Sequence, residues 1–316
     1  MEYKGRTRAR KKGKKKIKTA VKIGVTLLII VLIASVYFAS KLYSKKKLEK
    51  SRGKVSGESI HDKDRQDDLS EQVDPELKYW ILSAGAGECI YIKVGSKDII
   101  IDAGDDASGE SIVKELKPEI SGNVEYLILT SNSNKRTGGA KEIYKNFNVE
   151  KTVYGKFSKQ DIKKLKKMSG KKCEFVRGTD TTLDLDNKIF LTLAMPEVAS
   201  KSDNNKSIMT ILTYGDTVFV QESDAGAEEE AKLEGLVTRA DVIVMAQHGD
   251  SSVNRIADKL SARYVIASTN KESTLPSREL IEYIKSNIYT TYNSGTIKFI
   301  SDGKKVESNL ESKDQL

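Results

Sequence analysis

The stretch with the most chemical potential is residues 127–139, where the apolar run LIL ends in the polar loop TSNSNKRTGG. A helical pattern, AKEIYKNF, follows directly. In open α/β sheets, a loop at the carboxyl end of a strand is where ligands bind. The loop offers hydroxyls from Ser131 and Ser133 and cations from Lys135 and Arg136, and it contains no His, Cys or carboxylate. We therefore place the functional site of the predicted domain around this loop.

The elements that must position this loop are visible from Lys78 onward as alternating strand and helix patterns. YWILS, ECIYIKV and DIIIDA predict three strands with hairpin-like connections, and Ser108 is a plausible cap for the helix that follows. A second hairpin is predicted across Gly215-Asp216. Each half begins with hairpins and continues with βα units. This order predicts an α/β fold with two mixed sheets face to face and helices outside, an αββα four-layer sandwich.

The charge of the chain is unevenly distributed along its 316 residues. Residues 1–54 hold 18 of the 54 Lys+Arg and 2 of the 45 Asp+Glu, so residues 55–316 carry a net charge of −7. Non-specific nucleic-acid binding depends on Lys and Arg neutralising phosphates, so net charge makes the globular part a poor candidate for it. The two cysteines, Cys89 and Cys173, fit two separate buried thiols better than a disulfide, which remains the alternative.

The N-terminal part predicts a membrane anchor. Residues 23–40 carry no charge, and about 20 apolar residues span a bilayer as a helix. Eleven Lys and Arg precede this run and seven follow it before residue 55, which favours a cytoplasmic N-terminus and an extracytoplasmic C-terminal domain. The chain is therefore divided into a basic cytoplasmic tail (1–22), a transmembrane helix (23–42), a linker (43–77), the globular domain (78–303) and a C-terminal tail (304–316).

The order of motifs resembles the metallo-β-lactamase fold, and within it the metal-hydrolase domain of ComEC-type competence DNA-uptake proteins. Seven motifs of that family have counterparts here in the same order, namely V-G-Q-G-D, I-D-G-G, T-H-x-H-x-D-H-x-G-G, N-x-x-S, G-D, H-H-G-S and T-x-x-G-x-I. The counterparts are residues 84–88, 101–104, 130–139, 204–207, 223–224, 247–250 and 291–297. The resemblance covers roughly 79–302 and implies the αββα fold; the motifs are not specific for activity.

The resemblance also implies which metal ligands are missing. The two loop histidines are replaced by Ser131 and Ser133, the Asp by Lys135 and the last His by Arg136. Lys and Arg would repel a cation, and a catalytic zinc needs three protein ligands. Of the family's ligands only Asp224 and His248 remain, and Asp102 keeps its place in the I-D turn. The chain has one other histidine, His61 in the linker, so we expect no metal and no cofactor.

Each of these residues also has a plainer interpretation. Asp224 could cap the helix AEEEAKLEGL or pair with a loop cation, and His248 is a hydrogen-bonded loop histidine rather than a ligand. Lys135 and Arg136 could be solvated, could occupy the former metal pocket and satisfy Asp224 and Glu222, or could bind an anion at the helix start. A nucleophilic pair of Cys89 with His248 is conceivable but matches no motif.

The sequence thus predicts a membrane-anchored, extracytoplasmic domain that binds or scaffolds at the cell envelope without catalysis. The alternatives are a phosphodiesterase- or nuclease-like hydrolase of DNA-uptake type with an atypical zinc or manganese site, and a small-anion sensor. The expected partners are the membrane, anionic lipid through the Lys/Arg tail, and an envelope protein or small anionic ligand. Nucleic acid is a partner only for the hydrolase. One structural prediction follows, namely that a cation of the loop lies within hydrogen-bonding distance of Asp224 or Glu222.

Overall fold

The computed structural model describes residues 75–170, 173–186, 188–195, 207–250 and 256–316. The predicted tail, the transmembrane helix 23–42 and nearly all of the linker lie outside these residues, as does Asn204. Within the described residues, no helix combines the length and the apolar character that crossing a bilayer requires.

The first sheet has eight strands in the order β15-β14-β1-β2-β3-β4-β5-β6. Strands β3 to β6 run parallel to one another, and the remaining neighbours are antiparallel. The strands are β1 (Leu77–Ile81), β2 (Ile90–Val94), β3 (Lys97–Ile101), β4 (Asn123–Leu129), β5 (Asn148–Tyr154), β6 (Glu174–Arg177), β14 (Ile297–Ser301) and β15 (Val306–Ser308).

The second sheet has seven strands in the order β13-β12-β11-β10-β9-β8-β7. Strands β10 to β13 are parallel, and β7 to β10 form antiparallel pairs that include the predicted hairpin at Gly215-Asp216. The strands are β7 (Thr181–Asp186), β8 (Ile189–Ala194), β9 (Met209–Tyr214), β10 (Thr217–Gln221), β11 (Val242–Val244), β12 (Tyr264–Ala267) and β13 (Asn287–Thr290).

The helices of the described residues follow the strands in chain order, and all but the last of them connect parallel strands of one sheet. They are α1 (Gly109–Leu116), α2 (Asn134–Thr137), α3 (Ala140–Asn146), α4 (Lys159–Ser169), α5 (Ala227–Glu234), α6 (Ile256–Lys259), α7 (Arg278–Tyr283) and α8 (Thr291–Ser294), with 3-10 turns at Ala246–His248 and Ser312–Asp314. Helix α1 starts after Ser108, whose side chain makes no cap hydrogen bond. Asp105 instead accepts the Ala107 and Ser108 amides at 3.0 and 2.9 Å.

The alternation of side chains along the strands shows where the three apolar layers of the fold lie. Along β2, Ile90, Ile92 and Val94 enter the core between the two sheets, whereas Tyr91 enters the layer under α1 and α3. Successive strand residues point to opposite faces, and a strand covered on both faces is apolar throughout. A third cluster packs α5, α6 and α7 onto the outer face of the second sheet. These layers confirm the predicted αββα arrangement.

The structure extends the predicted domain at both ends. Strand β1 already begins at Leu77. Residues 304–316, assigned to a C-terminal tail from their polar sequence, contribute β15 at the edge of the first sheet. The Leu316 amide donates to the Ile288 carbonyl at 3.0 Å, and Gln315 bridges to Tyr289. A three-residue edge strand is too short to show a clear alternating pattern, which is why it escaped sequence interpretation.

Candidate functional site around a buried arginine

The candidate site lies where the carboxyl ends of the central strands of both sheets meet. Asp102 directly follows β3 and Thr130 follows β4, while residues 222–224 follow β10 and the turn Ala246–His248 follows β11. Parallel strands present their carboxyl ends at one edge of a sheet, which is the usual location of ligand sites in α/β folds. Glu88 precedes β2, the antiparallel neighbour of β3, and therefore reaches the same edge.

Arg136 is the centre of this site and its side chain is fully buried. Nη1 donates to Glu88 Oε1 and lies 3.1 Å from Asp102 Oδ2. Nη2 and Nε reach Asp224 Oδ1 at 2.8 and 3.2 Å. Burial lowers the pKa of Arg136, but the charges of Asp224, Glu88 and Asp102 outweigh it and hold the pKa well above its usual value. One guanidinium therefore binds three carboxylates together, and the predicted pairing of a loop cation with Asp224 is confirmed.

Asp102 is fixed by hydrogen bonds from two elements. The Thr130 amide donates to Oδ1 at 2.8 Å, and Thr130 Oγ1 lies 2.7 Å from Oδ2 and 2.5 Å from Ser223 Oγ. Gln221 Nε2 lies 3.3 Å from Asp102 Oδ2 and donates to Glu88 Oε1 at 2.7 Å. Burial raises the pKa of Asp102 to about 7, against the opposing charge of Arg136. The network thus joins the two sheets through side chains.

Asp224 accepts hydrogen bonds from Ser131 Oγ at 2.7 Å and from Arg136. Burial raises its pKa, but the charge and hydrogen bonds of Arg136 act against this and bring the pKa below the usual value. The alternative that Asp224 caps a helix is not what the structure shows, since α5 begins after Gly226 without a side-chain cap. Among the predicted site residues, the structure thus brings Ser131, Arg136, Asp102 and Asp224 into direct contact.

Lys135 and Glu222 do not join the arginine cluster, which corrects two parts of the prediction. The Lys135 side chain is exposed and makes no ion pair with any described residue, whereas its carbonyl accepts the Glu88 amide at 3.0 Å. Adjacent residues of the helical turn α2 point in different directions, so Lys135 and Arg136 cannot both enter the pocket. Glu222 accepts the Ala246 amide at 3.1 Å, and burial, with Glu230 nearby, raises its pKa well above the usual value. Ser133 caps α2 by accepting the Lys135 amide.

Two glycines let the loops around Arg136 approach each other. A side chain on Gly138 would meet the Asp106 amide at 2.3 Å, and one on Gly139 would meet the Ala103 carbonyl at 2.3 Å. This close packing allows the Ala103 amide to donate to the Arg136 carbonyl at 2.7 Å. The glycines thus hold the arginine loop against the Asp102 turn.

His248 is buried beside this network, and its Nδ1 lies 2.8 Å from the Ser268 carbonyl oxygen. Burial lowers its pKa to about 3, and the charges of Arg136 and Lys135 add to that shift. The imidazole is therefore neutral at physiological pH. Since a carbonyl oxygen only accepts hydrogen bonds, Nδ1 carries the proton and Nε2 presents a lone pair. Nε2 has no hydrogen-bond partner among the described residues.

Several residues of the site have an unusual backbone conformation. Five described residues other than glycine have positive φ, and four belong to this site, namely Asp102 (60°), Ser223 (57°), Gln247 (50°) and His248 (60°). The left-handed conformation costs an L-residue roughly 1–2 kcal/mol, and such strain concentrates at functional sites. The fold therefore maintains these turns despite their local cost.

Sequence interpretation missed several members of the network. Glu88, Thr130, Gln221, Ser223 and Ser268 were not predicted as site residues, although all are at most 1% exposed. The available signal was a polar residue at the end of an apolar strand run, as in TVFVQ and RYVIAS. Such a residue predicts a strand end but not its partners.

The donor set does not fit the zinc or manganese that the resemblance associates with this loop. The three carboxylates nearest the loop already bind a guanidinium, and a cation at that place excludes a second one. No cluster of three or more His, Cys, Asp or Glu side chains among the described residues is arranged to hold a metal ion. Ser131 is engaged with Asp224.

The cysteines do not contribute a nucleophile to this site. Both Cys89 and Cys173 are free thiols. Cys89 is fully buried in the apolar layer on the outer face of the first sheet, and burial raises the pKa of its thiol well above the usual value. A nucleophilic cysteine needs the opposite shift, so the pairing of Cys89 with His248 has no support in this geometry.

Solved structures identify the fold. The metallo-β-lactamase-fold protein YhfI from Bacillus subtilis matches with a TM-score of 0.50 at 14% identity, covering 72% of this chain and 99% of that one. A diphosphatase of the PhnP family matches with a TM-score of 0.48 at 12% identity, covering 70% and 96%. Tm1679, a metal-dependent hydrolase of the β-lactamase superfamily, gives 0.46 at 10% identity, covering 70% and 98%. At 14% identity the likeness to YhfI shows the fold alone.

Sequence comparisons give little further information about the relatives of this chain. The chain matches no known protein-family profile. Among curated proteins, Colossin-A from Dictyostelium discoideum is 31% identical over 84 residues, which are 27% of this chain and 1% of that protein. The chain thus spans about a hundredth of the length of that relative.

Proposed function

We propose that this metallo-β-lactamase-fold domain is a non-catalytic binding module, in which the Arg136 guanidinium stands where hydrolases of the fold hold metal. The observation that carries the proposal is the fully buried Arg136 in contact with Glu88, Asp102 and Asp224. A hydrolytic metal must polarise its substrate and activate water from an open coordination position. A guanidinium has no position for a water ligand, so it cannot activate water by coordination. This one is also fully buried and bound by Glu88, Asp102 and Asp224, so it does not reach a substrate.

The arginine instead provides a rigid base for the strand ends. Its contacts join the loop after β4 to the turns before β2, after β3 and after β10. Such a network holds the surrounding loops in one arrangement without solvent, which suits a surface that binds rather than transforms a ligand. The alternative function is a metal-dependent hydrolase of the same fold, acting on a phosphodiester.

Metal content separates these two functions. Because the carboxylates are occupied by Arg136, we expect the purified full chain to carry no stoichiometric zinc or manganese, measured by elemental analysis. Added divalent cation should leave its melting temperature unchanged. Tightly bound stoichiometric metal in the unaltered chain would instead restore the hydrolase.

The proposal includes attachment to the cell envelope. The largely apolar residues 23–42 would anchor the chain, with residues 1–22 in the cytoplasm and the domain outside. The Lys and Arg next to the membrane would add electrostatic attraction to anionic lipid, about 1 kcal/mol for each residue near the surface. An envelope protein or a small anion is then the partner expected for the domain. The resemblance to ComEC-type proteins makes a role in DNA uptake conceivable, although a shared fold does not fix function.

Protease treatment of cells stripped of their wall tests the orientation. Because the charge asymmetry around the apolar run places the domain outside, we expect added protease to degrade it in intact cells. A cytoplasmic marker protein should survive in the same sample, as the control for membrane integrity. Full protection of the domain until the membrane is opened would place it in the cytoplasm.

A further inference from the structure

A polar pocket lies beside the arginine cluster and is lined by a different set of side chains. It measures about 200 Å³, and its lining includes Lys135, His248, Ser268, Asn270 and Glu272. The loops after β11 and β12 form one wall, and the helical turn α2 provides Lys135. None of the contacts that hold Arg136 uses these pocket side chains.

Two residues that line this pocket each carry a buried polar atom without a hydrogen-bond partner among the described residues. His248 is 5% exposed and Ser268 is 1% exposed. Neither His248 Nε2 nor Ser268 Oγ makes a hydrogen bond with any described residue. Leaving a buried polar atom unsatisfied costs about 1–3 kcal/mol, so two such atoms on residues that line one pocket indicate a ligand that satisfies them.

The pocket also carries an available positive charge. Lys135 is exposed and has no ion pair with a described residue. Among the charges that act on His248, Arg136 and Lys135 outweigh Asp224. The exposed Glu272 is the one carboxylate among the lining residues, and its amide, not its carboxylate, is engaged by Asn270 Oδ1 at 3.2 Å. The pocket therefore combines one cation that is unpaired among the described residues, Lys135, with an acceptor, Nε2 of His248.

From these features we infer that the pocket binds a small oxyanion that also carries a hydrogen-bond donor. The anionic oxygens would face Lys135, and the donor would satisfy His248 Nε2, with Ser268 Oγ beside it. Because Nδ1 donates to the Ser268 carbonyl, Nε2 can accept a hydrogen bond but offers none to an oxyanion. This acceptor is what distinguishes the site from a simple surface cation, and it deepens the proposed binding function.

Two matched pairs of probes test the inference on the full chain by calorimetric titration at neutral pH. Glycolate carries the hydroxyl donor that acetate lacks, and inorganic phosphate carries a P–OH that sulfate lacks. We expect the donor-bearing member of at least one pair to bind about tenfold more tightly than its partner, the ratio that one hydrogen bond supplies. Which pair shows the difference distinguishes a carboxylate from a phosphoryl ligand.

Three variants assign the effect to the pocket. His248→Asn keeps a donor for the Ser268 carbonyl and tolerates the left-handed backbone, but it removes the Nε2 acceptor and should abolish the discrimination. Lys135→Gln should weaken both members of a pair, and Lys141→Gln, an exposed lysine of α3 outside the pocket, should change neither. The inference fails if no probe binds, if both pairs bind without discrimination, or if His248→Asn retains it. These failures would leave the metal content, and hence the non-catalytic proposal, unaffected.

Discussion

Arg136→Met is expected to destabilise the domain by about 3–5 kcal/mol, the usual cost of removing one partner from a buried ion pair. The substitution keeps the aliphatic volume but leaves Glu88, Asp102 and Asp224 without their shared cation. Each carboxylate must then take up a proton or remain charged in a site of low polarity. For a domain of this size the loss corresponds to a fall in melting temperature of roughly 10 °C, measured by circular dichroism or calorimetry.

The neighbouring residue provides the control. Lys135→Met removes the same charge from the same loop, but Lys135 is exposed, so a change within about 0.5 kcal/mol is expected. Arg136→Lys should fall between the two, because an ammonium keeps the charge but cannot bind several carboxylates in a planar fork. Should Arg136→Met fail to fold, Asp224→Asn provides a milder test and should still lower the melting temperature clearly. Equal stability of Arg136→Met and Lys135→Met would refute the structural role of the arginine.

His248 is expected to make the stability of the domain depend on pH between about pH 8 and pH 5, by roughly 2 kcal/mol. Its pKa is about 3 in the folded state and 6.5 in the reference state. Between these values the unfolded chain binds more protons than the folded one, so acidification favours unfolding. The contribution is complete above pH 6.5 and is lost as the pH falls through this window.

The free energy of unfolding of the unaltered chain, measured against pH, does not by itself reveal the contribution of His248. The titration of Asp102 changes stability in the opposite direction. Its folded pKa of about 7 exceeds the reference value of 3.8, so its contribution to stability decreases as the pH rises between these values. Both the unaltered chain and His248→Asn contain Asp102, so its contribution cancels when their free energies of unfolding are subtracted. We expect that difference to shrink towards pH 5 in denaturant titrations. A difference that stays constant with pH would show that His248 takes up its proton equally well in the folded domain.

The sequence by itself determined the layered architecture and the location of the site. Apolar runs with hairpin spacing, followed by strand–helix alternation, predict two sheets with helices outside, and the structure confirms this arrangement. The same patterns place Asp102, the loop 130–139 and Asp224 at strand ends. The convergence of Asp102 with the loop follows from this, because both lie at the carboxyl ends of neighbouring strands. The pairing of Asp224 with a cation of the loop was predicted because an unpaired buried carboxylate is costly.

Only the tertiary structure decided which cation enters the pocket and which partners it finds. Lys135 and Arg136 are adjacent in sequence, and the path of a four-residue helical turn buries the second while leaving the first exposed. Glu88 and Gln221 join the network although 48 and 85 residues separate them from Arg136. The free lone pair of His248 likewise depends on the carbonyl of Ser268, which follows the next strand. Periodicity in a sequence reports which face of an element is buried, whereas contacts between distant loops depend on how complete elements pack, and that information belongs to no single stretch of the chain.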